Sequence, residues 1–150
     1  MINLYKYPRP AVAVDIIVLR GQYPDQQILL IARKNNPYRG MWALPGGFIN
    51  MNEDLHESAS RELEEETGLK EINLIQFRTY GKPGRDPRGR TVSVVHYALL
   101  DEKDTPRIAA GDDASKAAWF PIATLPRLGF DHELILKDFI ALLNSPGFRR

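Results

Sequence analysis

One short stretch, RELEEETG at residues 61–68, constrains the fold more than any other part of the chain. It sets five ionisable groups, four of them carboxylates, in eight positions. The surrounding pattern reads as a helix over 54–68, stopped by Gly68 in the position after the last helical turn. At about 100° per residue, Leu55, Ala59 and Leu63 fall in one stripe that faces a core. Glu62 and Glu66 stand one turn apart, and Glu65 neighbours Glu62. All three project to one side at the edge of that stripe, and Glu66 lies close to its middle. Carboxylates gathered where water is partly excluded repel one another. A hard divalent cation removes the conflict, because oxygen ligands suit Mg2+ and Mn2+. The alternative is a solvated acidic face stitched by pairs such as Arg61 with Glu65.

What precedes the helix weighs on that choice. The segment LPGGF at 44–48 reads as a sharp Pro-Gly-Gly turn whose backbone can approach a ligand closely. Glu53 lies eight residues before Arg61 and can reach back to pair with it, pinning the loop to the helix.

Along the rest of the chain, AVAVDIIVLR (11–20) and QILLIAR (27–33) read as partnered strands, and MWALPGGF as a short strand running into the turn. EINLIQFRTYG and RTVSVVHYALL form a hairpin whose long tip, KPGRDPRG, is rich in turn residues. A loop over 101–117 leads to a strand at AAWFPI, and Asp131 N-caps a final helix, HELILKDFIALL. Strands, a helix, more strands and a closing helix predict an α/β or α+β sandwich with a mixed sheet. The 150 residues suit a single domain, 1–150. The absence of cysteine excludes disulfides and thiolate metal sites, leaving oxygen or imidazole as ligands, and fits a cytoplasmic location. A net charge of +1 gives no global reason to bind nucleic acid or a membrane surface. No signal peptide or membrane-spanning apolar run is expected.

Gly47, Glu53, Arg61-Glu62-Leu63, Glu65-Glu66 and Gly68-Leu69 occupy nine specified places over 23 residues. Their spacing resembles the Nudix box at every defining position, with Asn52 standing where many members have glycine. The resemblance implies an α/β/α sandwich and hydrolysis of a nucleoside diphosphate linked to another moiety. It implies Mg2+ or Mn2+ held by Glu62, Glu65 and Glu66, usually with the carbonyl of Gly47, and Glu53–Arg61 as the structural pair. It leaves the general base open between Glu62 and a loop acid, here Asp112 or Asp113; Gly-Asp-Asp is equally good turn chemistry.

YRGMWALPGGFI, GRDPRGRTVSVVHYAL, GDDASKAAWFPI and LGFDHELIL resemble the ADP-ribose pyrophosphatase branch and the Nudix-like domains of NAD-metabolism regulators. The implied substrate is ADP-ribose, cleaved to AMP and ribose 5-phosphate. The regulators carry a DNA-binding domain after this region; with the chain ending at Arg150, none is expected here. Relatives are often homodimers, so a homodimer is an expectation. Arg85, Arg88 and Arg90 on the hairpin tip are candidates for phosphate or ribose contacts. Tyr38, Trp42, Tyr80 and Phe130 are candidate adenine platforms, with core packing the favoured expectation for Trp42 and Phe130, and His132 is a candidate pocket residue. His56 is expected exposed and His96 packed. A nucleoside triphosphate pyrophosphohydrolase and a non-catalytic ADP-ribose sensor are the competing readings.

Overall fold

The computed structural model describes residues 5–109 and 114–148. Its centre is a mixed sheet of seven strands: β1 (Ala11–Arg20), β2 (Gln27–Arg33), β3 (Trp42–Ala43), β4 (Gly46–Phe48), β5 (Ile75–Tyr80), β6 (Thr91–Leu100) and β7 (Ala114–Pro121). The path runs β3-β2-β1-β6-β5, with β7 paired to β2 and β4 to β1. β1 and β6 lie parallel in register from Ala11–Thr91 to Arg20–Leu100. β1 and β2 are antiparallel neighbours as the pattern predicts, but they share a short register around Leu19–Ile28, because β4 takes the other half of that edge. β5 and β6 are the expected antiparallel hairpin, with a bulge between Gln76 and Arg78.

Two helices, α1 (Leu55–Thr67) and α2 (His132–Leu143), cover opposite faces, and the period of two along β1 sorts its side chains between them. Ile17 and Leu19 join Ile28 and Leu30 under Ile135, Leu136 and Phe139 of α2. Val14, Ile16 and Val18 join Leu29 under Ala59 and Leu63 of α1. The result is the expected α/β/α sandwich with a mixed sheet, buried on both faces.

Burial decides why α1 tolerates its charge. A like-charge pair one turn apart costs about 0.2–0.5 kcal/mol. Leu63, at 1% exposure, is worth about 1.5–3 kcal/mol by burial alone. Asp54 caps the helix start in a reciprocal box with Glu57, and Gly68 ends it at φ 77°.

Two expectations are corrected. Pro45-Gly46-Gly47 is not a turn: Gly46 and Gly47 lie in β4, opposite Asp15 and Val14 of β1, and neither has positive φ. Asp131 stands before α2 but makes no capping bond there, because its carboxylate is held by Arg85.

Candidate active site

β4 owes its glycines to what lies against them. A Cβ on Gly46 would strike the Val14 carbonyl oxygen and come within 2.5 Å of Asp15 Oδ1; one on Gly47 would come within 2.5 Å of Glu62 Oε1. The α1 carboxylates therefore sit directly on the β4 backbone. The Gly46 N–H donates to Glu66 Oε1 at 2.9 Å. Glu62 and Glu66 are both buried, at 8% and 4% exposure, whereas Glu65 is exposed at the rim. All three line one cleft with Gly46, Gly47, Arg33, Lys34 and Asn50.

Arg61 organises the cleft edge. Its Nε donates to both oxygens of Glu53, at 3.0 and 2.8 Å. Its Nη1 reaches Glu62 at 2.9 Å and Glu65 at 3.3 Å, and its Nη2 donates to the Phe48 carbonyl at 3.2 Å. Glu53 also accepts from Ser58 Oγ and the Asn50 N–H. The bond from Arg61, then that from Ser58, holds the Glu53 carboxyl down at about 2. Glu53 thus ties β4 to the helix.

The metal question turns on donor chemistry. Among the described residues, no three acidic or imidazole side chains already form a set that could hold an ion. The donors converging on β4 are nevertheless all oxygens, two of them buried carboxylates, and Glu62 can sit this close to β4 only because residue 47 lacks a Cβ. That is a hard-cation donor set.

A second cavity opens on the other side of β4, lined by Asp15, Arg33, Phe48, Arg88, Phe130 and His132 among others. It shares Ile31, Arg33, Gly46, Gly47 and Phe48 with the acidic cleft, so the two adjoin at β4. Arg88 lies over the Phe48 ring at 4.7 Å and near Phe130 at 5.5 Å, its fork held by Asp86. Arg33 also lies over the Phe130 ring, at 4.9 Å, with Nε donating to the Pro37 carbonyl. Burial, with Arg88 nearby, lowers the Arg33 pKa from its ordinary value.

The three hairpin arginines have different fates. Arg88 faces the cavity. Arg85 reaches it, but its side chain, at 5% exposure, makes a two-bond pair with Asp131 at 2.9 and 2.7 Å. Arg90 is turned to the hairpin base, where Nη1 donates to the Gly81 carbonyl at 2.5 Å; it lines neither depression. Tyr38 and Tyr80 line a further groove behind Phe130. The Tyr80 hydroxyl donates to Asp138 at 2.8 Å, and burial together with Asp138 pushes its pKa up to about 12. Trp42 packs against the core as expected, edge-on to Phe120. Phe130 does not: two residues before α2 and at φ 55°, it lies in the wall between cavity and groove, against Tyr38. His56 is exposed and His96 is buried. Asp112 and Asp113 lie outside the described residues.

Three site residues escaped the sequence reading. Asp15 is a lone acid inside an apolar strand, a signal that was available; Arg33 merely ends a strand, and Asp86 looks like turn chemistry. Asp15 is 8% exposed and accepts from Ser93 Oγ. Burial alone would raise its pKa, but His132, Ser93 and Arg85 together leave it lowered.

The sheet between two helices, with buried carboxylates of one helix against a Gly-Gly strand, is the framework of a hydrolase-type domain. The sequence profile of the NUDIX domain matches residues 9–143, and the chain belongs to the Nudix family. It is 46% identical over 139 residues to an ADP-ribose pyrophosphatase of Methanocaldococcus jannaschii, covering 93% of this chain and 78% of that protein. It is 36% identical over 141 residues to the ADPR responsive transcriptional repressor NtrR of Acinetobacter baylyi, covering 93% of this chain but only 56% of the repressor. The NUDIX domain of Shewanella oneidensis NrtR, solved with ADP ribose, superposes with a TM-score of 0.84 at 29% identity, over 92% of this chain and 91% of that one. A bifunctional NMN adenylyltransferase/ADP ribose pyrophosphatase of Francisella tularensis, solved with AMP and a Mn ion, gives 0.79 at 30% identity, over 91% of this chain and 43% of that one. No helix among the described residues is long and apolar enough to cross a membrane.

Proposed function

We propose that this Nudix pyrophosphohydrolase hydrolyses ADP-ribose to AMP and ribose 5-phosphate, and that residues 1–150 act as one domain. The observation that carries the reading is the pair of adjoining cavities at β4, one acidic and the other lined by arginine and aromatic rings. A diphosphate flanked by two sugars needs contacts on both sides of its charged centre. The named activity of the M. jannaschii relative and the ADP ribose bound by the S. oneidensis domain support the same substrate.

Glu62, Glu65, Glu66 and the Gly47 carbonyl would hold Mg2+ or Mn2+, which supplies charge neutralisation of the diphosphate and an acidified water. Hydrolysis adds one water across the P–O–P bridge, so a proton must leave the attacking water and one must reach the departing phosphate. Glu62, Asp112 and Asp113 are the acids proposed to take the first proton. Arg33 and Arg88 orient the diphosphate and its outer sugar by charge-assisted donors, and Phe48 and Phe130 exclude water from that side. Arg61 and Glu53 keep the helix edge in register with β4. The absence of cysteine supports a reducing, cytoplasmic setting, and a homodimer is the assembly to test by light scattering.

The test is a side-by-side comparison of kcat/KM for ADP-ribose, an oxidised-guanine triphosphate and NADH. ADP-ribose should lead, with AMP and ribose 5-phosphate as products. A lead of about tenfold, or 1.4 kcal/mol, by either other compound refutes the substrate and leaves the family chemistry in place.

A further inference from the structure

The chain crossing from β3 to β4 carries a backbone donor that no strand satisfies. Leu44 lies between the two strands, and its N–H donates to His132 Nδ1 at 3.0 Å, from a residue 88 positions away. An imidazole nitrogen that accepts carries no proton, so the ring's proton sits on Nε2. That nitrogen faces Asp15 Oδ1 at 3.5 Å. Asp15 is in turn the register partner of Gly46 in β4 and accepts from Ser93 on β6. His132 and Asp15 are 3% and 8% exposed.

The same four residues are gripped at each step. Leu44 is held by His132, the Pro45 carbonyl by the Ile16 N–H at 2.8 Å, and the Gly46 N–H by Glu66, while Gly47 rests on Glu62. Of these grips, only the one at Leu44 comes from α2, across the sheet edge from the acidic helix. We infer that His132, backed by Asp15, is a positioning residue: it fixes the path of Leu44–Gly47 and thereby the seat of Gly47 and Glu66 in the divalent-ion site. His132 lines the cavity but its two nitrogens are committed to Leu44 and Asp15, which removes it from substrate contact. The inference rests on the reading that Gly47, Glu62 and Glu66 hold the ion.

The test is direct Mn2+ binding by electron paramagnetic resonance of free Mn2+, alongside KM for ADP-ribose and thermal melting. His132→Leu keeps the bulk and removes both nitrogens; His132→Asn retains an acceptor at the Nδ1 position. His132→Leu should weaken Mn2+ binding by roughly tenfold or more, the range typical of groups that orient metal ligands, with KM little changed; His132→Asn should recover most of the loss. A folded His132→Leu with unchanged Mn2+ affinity, even if its melting temperature falls, overturns the inference, as does a rise in KM alone. If His132→Leu does not fold, Asp15→Asn must show the weakened Mn2+ binding, and normal affinity there refutes the idea. Wild-type protein that binds no Mn2+ also overturns it. Mn2+ binding without hydrolysis of ADP-ribose sinks the substrate instead and leaves the His132 comparison in force.

Discussion

Replacing each β4 glycine by alanine separates stability from chemistry at adjacent positions. At residue 47 the added Cβ would lie 2.5 Å from Glu62 Oε1 and 2.6 Å from its Cδ, whereas ordinary contact begins at 3.4 Å. The carboxylate must therefore retreat by 3.4 − 2.5 = 0.9 Å. It is the far end of a flexible side chain, so retreat is cheap for the fold. It is costly for a reaction that depends on placement, where a displacement of about 1 Å can cost about a hundredfold in rate. At residue 46 the obstacles are the Val14 carbonyl and the Asp15 Cα, which belong to the central strand and cannot yield. Overpacking of that kind costs about 1–3 kcal/mol. Gly47→Ala should thus lose about two decades in kcat with a nearly unchanged melting temperature, while Gly46→Ala should melt several degrees lower. Stopped assays of AMP release and differential scanning calorimetry on the two variants decide it. Near-normal turnover in Gly47→Ala would refute the claim that Glu62 acts from its place against β4.

Glu66→Gln should reduce turnover by orders of magnitude and weaken Mn2+ binding while circular dichroism stays unchanged, because it removes a buried ligand charge and keeps the acceptor for Gly46; a kcat within threefold or so of wild type would count against a metal ligand at a scale of about 1.4 kcal/mol per decade. The Glu53 carboxyl is depressed to about 2 from its usual 4.5, so the stability it lends is complete above pH 4.5 and is lost as pH falls toward 2; Glu53→Gln should flatten that part of an acid-unfolding curve, and an unchanged acid limb contradicts the pairing. Arg88→Ala should raise KM for ADP-ribose by about tenfold or more through one lost charge-assisted bond of about 1.5–3 kcal/mol. Arg85→Ala should instead lower stability by about 3 kcal/mol, since it strands Asp131; urea unfolding checks this, and a KM effect with intact stability would return Arg85 to the substrate.

The local pattern of residues 47–69 determined a good deal unaided. The apolar stripe on α1, the stop at Gly68 and the reach from Glu53 to Arg61 are short-range features written by helical period and spacing. The order of strands and helices likewise pointed to the layered sandwich, and the apolar run of β1 fits a strand that must be covered on both faces. Tertiary structure alone decided which polar groups meet across the sheet. Pro-Gly-Gly reads as a turn because its composition is that of turns, yet its glycines serve the close approach of β1 and α1 to β4. Asp131 has the composition of a cap, but Arg85, 46 residues away, outcompetes a helix end that can bond to water. Phe130 is large enough for a core but lies in the wall between cavity and groove. Asp15 and His132 lie 117 positions apart and meet because β1 runs beneath the start of α2. Pairings at such separations follow from strand order and register, which depend on the whole core and leave no mark in the spacing of the residues themselves.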